Sequence, residues 1–208
     1  SKDRAGTDIK LGNGSALFNN YLYLWNDTYF IRIEPREGDV LPEDVTSTGK
    51  AIINIMPYKK VSLPSILSLL PQQHLAQNSH IFFHKKIILD NIYISDNYIE
   101  ENVFHLSEKT DAVIAEYRPN TSSESFNLML IKYPDNDTAR LAFDDVLKLW
   151  RSWGETESTS GAIHTFQSKV QRYTSCLLEK NILGITFLSV NKGNAETLLQ
   201  SIAHNMSK

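Results

Sequence analysis

DAVIAEYRPNTSSESFNLMLIKYPDNDTARLAFDDVLKLWRSW, residues 111–153, is the stretch whose reading decides the fold. Two runs within it, Ala112–Tyr117 and Phe126–Tyr133, are apolar and rich in β-branched and aromatic residues, with the polar loop Arg118–Ser125 between them. That order predicts two antiparallel strands. Pro134 and Asp135 stop the second strand, and Asp135 or Asp137 can accept hydrogen bonds from the free N–H groups of a helix that starts there. Ala139, Ala142, Phe143, Val146, Leu147 and Trp150 then recur at the i, i+3, i+4, i+7 spacing. All six therefore share one face of a helix ending near Trp153. Asp144 and Asp145 fall on its polar side, where solvation accounts for them.

The same order recurs on either side. Tyr21–Trp25 and Thr28–Ile33 flank Asn26-Asp27, a pair that tolerates the positive φ of a hairpin turn. A break over Glu34–Asp39 follows, then a helix over Pro42–Met56, with Pro42 in its first turn and Val45, Ile52, Ile55 and Met56 as its buried stripe. Pro57 and Pro64 close this unit. Ser65–Leu70 reads as a short helical turn ended by Pro71, and His80–Phe83 as a strand, while 87–99 carries no clear pattern. Downstream, Gly154–Gly161 reads as a loop. Strands follow over His164–Leu178 and Leu183–Val190, turning at Lys180-Asn181. The last helix is Asn194–Met206, with Ala195, Leu198, Leu199, Ile202, Ala203 and Met206 on one face.

Strand, turn, strand and amphipathic helix thus recur over 21–56, 112–152 and 173–206. The class is α+β, with antiparallel sheets and helices packed on one face. The recurring hairpin-helix (ββα) units suggest an internal duplication, although ββα is also a common unit in unrelated proteins. The expected organisation is a tail at 1–16, a first hairpin-helix unit at 17–60, and a main α+β unit at 61–208 that ends in the second and third hairpin-helices. These form one compact domain or two intimately packed ones.

Composition narrows the function classes. Hydrophobic residues make up 41% and charged residues 22% of the 208, enough apolar surface for a core. Twenty-one basic against 24 acidic side chains give a net charge of −3, and the longest basic clusters are the pairs Lys59-Lys60 and Lys85-Lys86. A nucleic-acid partner is not expected, because neutralising phosphates takes a concentrated basic face. No apolar run approaches the ~20 residues of a membrane-crossing helix, so no transmembrane segment is expected in this chain. The single cysteine, Cys176, allows neither an intrachain disulfide nor a cysteine-based zinc site. The chain starts at Ser1, the mark of a processed or engineered product, so a signal peptide can have been removed.

Three segments carry a resemblance. Leu69-Leu70-Pro71 through Leu75 to Ser79, then Ala112 to Ala115-Glu116-Tyr117, then Ile131, Tyr133 and Pro134 before a helix bearing Ala139 and Ala142, together resemble a bacterial family known only as a domain of unknown function. The hairpin Tyr21–Ile33 is similar to a segment preceding these, and the resemblance spans about residues 17–150. It implies a fold and export, since many members look exported. It also implies further sequence upstream in the full-length protein. It implies no activity.

The residues themselves offer few chemistries. No Gly-x-Ser-x-Gly elbow and no phosphate-binding glycine loop occurs, and Asn191-Lys192-Gly193-Asn194 reads as a strand-to-helix turn. Cys176 lies in the strand-like Tyr-Thr-Ser-Cys-Leu-Leu, where a buried structural thiol is usual. Of the six histidines, His80 and His84 are the close pair, but on a strand they stand about 13 Å apart, too far for one ion. No metal site and no cofactor is therefore expected. Glu116 stands in an apolar strand, where a carboxylate needs a partner if buried; it is a candidate general base or ligand contact, or an ion-paired strand end. Tyr21, Tyr23 and Trp25 alternate along one strand face, and such a row is either the inner face beneath a helix, the favoured reading, or an exposed binding platform. The expected function is a non-catalytic exported or cell-envelope protein, periplasmic or secreted, that binds an unknown protein or small-molecule ligand. The alternative is a receptor or enzyme with a site assembled around Glu116 and the histidines. A cytoplasmic location remains open.

Overall fold

The computed structural model describes residues 9–18, 21–26, 29–35, 41–56, 64–77, 79–92, 99, 101–119, 124–153 and 155–206. The chain divides into two compact units, Ser1–Leu63 and Pro64–Lys208.

The first unit is a three-stranded antiparallel sheet of β1 (Gly14–Phe18), β2 (Tyr21–Asn26) and β3 (Tyr29–Ile33), in that spatial order, followed by helix α1 (Pro42–Ile55). The hairpin β2–β3 lies where the aromatic runs place it. Pairing continues through Asn26↔Tyr29, so Asn26 belongs to the strand rather than to the turn; Asp27 and Thr28 lie outside the described residues. Strand β1 begins inside the stretch read as a tail. Gly14, Ser15 and Ala16 have little strand propensity, and it is pairing with the edge of β2 that extends them.

Helix α1 begins at Pro42 with Glu43 and Asp44 in its first turn, where acidic groups favour the positive end of the helix dipole. Its buried face is the expected one only at Val45. Val45 and Gly49 are buried and Ile53 packs on the same core, whereas Ile55 is 84% exposed and Met56 lies beyond the helix end. Gly49 is the reason: a Cβ there would lie 2.5 Å from Leu22 Cδ2, so the helix touches the sheet along the line Val45–Gly49–Ile53. A pattern that counts only apolar side chains passes over that glycine. Leu22 and Leu24 of β2 and Val45 form the centre of this core, with Leu11, Leu17, Ile31 and Ile33 around them.

The second unit holds a seven-stranded antiparallel sheet. In chain order its elements are a 3₁₀ turn (Ser65–Leu69), β4 (Ile81–Phe83), α2 (Lys86–Ile92), β5 (Asp111–Tyr117), β6 (Phe126–Lys132), α3 (Asn136–Ser152), β7 (Thr156–Ser160), β8 (Ile163–Gln167), β9 (Tyr173–Glu179), β10 (Ile182–Ser189) and α4 (Lys192–Met206). The spatial order is β4-β5-β6-β10-β9-β8-β7. Asp135 caps α3 by accepting from Thr138 N–H at 2.7 Å, and the six residues of the expected stripe are its buried residues.

Two expectations downstream of α3 fail. The loop expected at Gly154–Gly161 is largely strand β7, paired with β8. Thr-Glu-Ser-Thr-Ser carries no apolar alternation because β7 is an edge strand with little to bury. The single strand expected over His164–Leu178 is two strands, β8 and β9, joined by a turn at 168–172. There Ser168 N–H donates to Arg172 O, Arg172 N–H donates to Ser168 Oγ, and Gln171 takes φ +56°.

The α+β class with antiparallel sheets stands, but the helices of the second unit do not share a face. Ala112, Ile114, Met129, Ile131, Phe166, Cys176, Leu183 and Ile185 pack with the apolar stripe of α3. Their alternating neighbours Val113, Ala115, Tyr117, Leu128, Leu130, Ile163 and Leu177 pack with Leu198, Leu199 and Ile202 of α4 and with Ile66 of the 3₁₀ turn. Both faces of the strands are buried, so their runs are apolar without alternation and the sequence carries no mark of which face a helix takes. One consequence bears on the suggested duplication. Strands β6 and β10 pair antiparallel at the sheet centre, with β5 and β9 outside them. A two-fold axis between β6 and β10 would superpose the hairpins but keep both helices on one side of the sheet. With α3 and α4 on opposite sides, β5-β6-α3 and β9-β10-α4 have opposite hands and cannot be superposed, which speaks against these two being copies of one another.

Candidate functional site

Strand β2 alternates half-buried and buried from Tyr21 to Asn26: Leu22, Leu24 and Asn26 face α1, and Tyr21, Tyr23 and Trp25 face away from it. The favoured reading of the Tyr/Trp row as inner face is thus corrected. The leucines between them fill the core, because branched aliphatic side chains pack more closely under a helix that approaches through Gly49.

Directly opposed residues in antiparallel strands point to the same side, so the pairing fixes what surrounds the row. Ala16 lies opposite Tyr23 and Phe18 opposite Tyr21 on β1; Phe30 lies opposite Trp25 and Arg32 opposite Tyr23 on β3. The rings of Tyr23 and Phe30 stack at 6.1 Å with 29° between their planes. The Arg32 guanidinium sits 4.9 Å above the Tyr21 ring and is also ion-paired to Glu34 at 2.8 Å. Phe30 is 71% exposed. Phe18, Tyr21, Tyr23, Trp25 and Phe30 thus lie on one side of the sheet as an aromatic surface, with the Arg32–Glu34 ion pair beside them.

The other residues singled out from the sequence are not brought together. Glu116 forms a two-pronged ion pair with Arg118, Nε to Oε1 at 3.1 Å and Nη2 to Oε2 at 2.9 Å. The Arg118 hydrogen bonds hold its carboxyl below the usual range, against the opposing effect of partial burial. Glu116 thus has the ion-pair partner that the strand-end reading expects. His80 is exposed ahead of β4. His84 Nδ1 meets the Thr110 carbonyl, and its ring stands edge-on to Phe82. None of the three lines either of the two pockets described below.

Three groupings had no sequence signal. Glu157 of β7 is held by Arg151 of α3 through two hydrogen bonds of 2.7 and 2.8 Å, and by His164 Nδ1 at 2.8 Å. The Arg151 bonds foremost, then His164, bring its carboxyl down to about 2 despite partial desolvation. Cys176, opposite His164 in the sheet, is fully buried, and that burial pushes its thiol far above the range in which a thiolate forms. Asp145, read as merely solvated, accepts from His105 Nε2 at 2.8 Å beside a pocket of about 390 Å³ lined by Glu101, Asn102 and Lys148. A second pocket, of about 310 Å³, lies between α4 and the end of β5, where His74 takes φ +65°. Each grouping joins residues from separate elements, and histidine has no pattern that marks a left-handed backbone.

No family model matches the chain, and no curated protein or solved structure is significantly similar to it. Among the described residues no three His, Cys, Asp or Glu side chains are grouped as a metal site, and no helix is long and apolar enough to cross a membrane.

Proposed function

We propose that this is a non-catalytic interaction protein whose working surface is the aromatic face of β1–β3, and that its partner is a protein presenting an apolar, weakly charged surface. The observation that carries the reading is the direction of the row: Tyr21, Tyr23 and Trp25 point away from α1 and are joined by Phe18, Phe30 and Arg32. Tyrosine, tryptophan, phenylalanine and arginine are the residues that carry most binding energy at protein interfaces, while lysine and glutamate are depleted there. Arg32, the one charged member of this face among the described residues of β1–β3, is already paired to Glu34, which favours an apolar partner over an ionic one. Action in the periplasm or outside the cell belongs to the same proposal and rests on the resemblance of residues 17–150 to a family with exported members.

Native mass spectrometry of the purified chain after incubation with an envelope extract of its source tests the reading. A discrete protein adduct is expected with the wild type and should be lost in the variant carrying Tyr23→Ser and Trp25→Ser. An adduct that persists in that variant, or a small-molecule adduct in its place, would overturn it.

A further inference from the structure

The pocket of about 390 Å³ in the second unit lies between the chain at 101–105 and one face of α3. That stretch of chain is tied by its own hydrogen bonds. Asn102 Nδ2 donates to Leu106 O at 2.9 Å, and Leu106 N–H donates back to Asn102 Oδ1 at 3.1 Å. His105 N–H donates to Asn102 O at 2.9 Å. Beneath, the buried Tyr133 hydroxyl donates to Phe104 O at 2.8 Å, and Val103, Phe104 and Leu106 are core residues. Together these contacts hold His105 at φ +49°, a left-handed backbone that persists only where the surroundings impose it.

His105 decides which charges the pocket has free. Its Nε2 meets Asp145 Oδ2 of α3 at 2.8 Å. Asp145 stands three residues before Lys148, a helical spacing at which carboxylate and ammonium commonly pair. That pair is not made here, and Asp145 is held by His105 instead. Lys148 on the α3 wall and Glu101 on the opposite wall have no ion-pair partner among the described residues, and they are not paired with each other. The lining thus offers one free ammonium and one free carboxylate. Leu149, half-buried, adds an open apolar contact, whereas Val103 is buried and contributes only wall.

We propose that this pocket binds a free α-amino acid with a short aliphatic side chain, its carboxylate on Lys148, its ammonium on Glu101 and its side chain against Leu149. A zwitterion gives each free charge its opposite. A simple anion would satisfy Lys148 but set a like charge beside Glu101 and Asp145, and a simple cation would leave Lys148 opposed by its own sign. The volume is at the small end for ligand pockets, which suits a molecule of this size. Both charged side chains are exposed, so each contact adds little and the expected affinity is about millimolar. The site is independent of the aromatic face, and either proposal can fail without the other.

Valine is the probe, titrated into the full chain and followed by ¹H–¹⁵N chemical shifts. Isovalerate, which lacks the ammonium, and isobutylamine, which lacks the carboxylate, are the comparators. Saturable shifts of the Val103, His105 and Lys148 amides are expected with valine, and binding about tenfold weaker or worse with either comparator. Lys148→Met and Glu101→Gln change exposed side chains, so thermal stability should hold while valine binding falls about tenfold in each. Shifts that do not saturate, a comparator that binds as well as valine, or valine affinity unchanged in either variant would overturn the inference.

Discussion

Asn26 sits on the inner face of β2, fully buried, and among the described residues neither its Nδ2 nor its Oδ1 has a hydrogen-bond partner. A buried amide left unsatisfied costs about 1–3 kcal/mol, so Asn26→Leu, which keeps the branched shape but is larger, should raise stability in denaturant unfolding by about that amount less the cost of fitting the added bulk. No gain would mean that the amide is satisfied after all, or that the added bulk is not accommodated. At Glu157 the sign runs with pH. Its folded carboxyl titrates at about 2, below the ordinary 4.5, so the stability it confers is complete above the ordinary value and is lost as pH falls towards about 2. Glu157→Gln should cost about 1–3 kcal/mol at neutral pH and flatten the stability profile across that acid window. An unchanged profile would show that Arg151 and His164 do not hold this carboxylate in solution.

Among elements, α1 and α3 show what sets a helix's buried face. The stripe of α3 was legible because every core position is an apolar side chain at helical spacing, capped by Asp135. That of α1 was only half legible, since one contact is made by the absence of a side chain at Gly49. Alanine there gains about 1 kcal/mol of helix propensity. Its Cβ, however, would lie 2.5 Å from Leu22 Cδ2 and 3.3 Å from Leu24 Cδ1, both in side chains that are themselves buried. Gly49→Ala should therefore be net destabilising, by about 1–2 kcal/mol, in thermal or denaturant unfolding. A stabilised variant would mean that the helix does not approach the sheet this closely. Strand β7 illustrates the opposite difficulty: as an edge strand of Thr, Glu and Ser it buries too little to impose an apolar alternation.

Across the whole chain, antiparallel sheets and amphipathic helices could be read from local periodicity, but the sides of the sheet taken by α3 and α4 could not. Strands β5 and β6 are apolar on both faces and the inner residues of β9 and β10 are buried on both, so the hand of each ββα unit is decided by packing. The candidate site followed the same division. Tyr21, Tyr23 and Trp25 were visible as a row, but their direction depended on Leu22 and Leu24 filling the core instead. Phe18, Phe30 and Arg32 joined them only through the strand register. The central claim, that this face meets a protein partner, is tested most directly by site-specific photo-crosslinking in cells that express the protein. One variant carries the photoreactive residue in place of Phe30, 71% exposed on the aromatic face, and another in place of Ile55, 84% exposed on α1. A single crosslinked protein species from position 30, absent from position 55, is the predicted result. Equal adducts at both positions, or none at position 30, would contradict it.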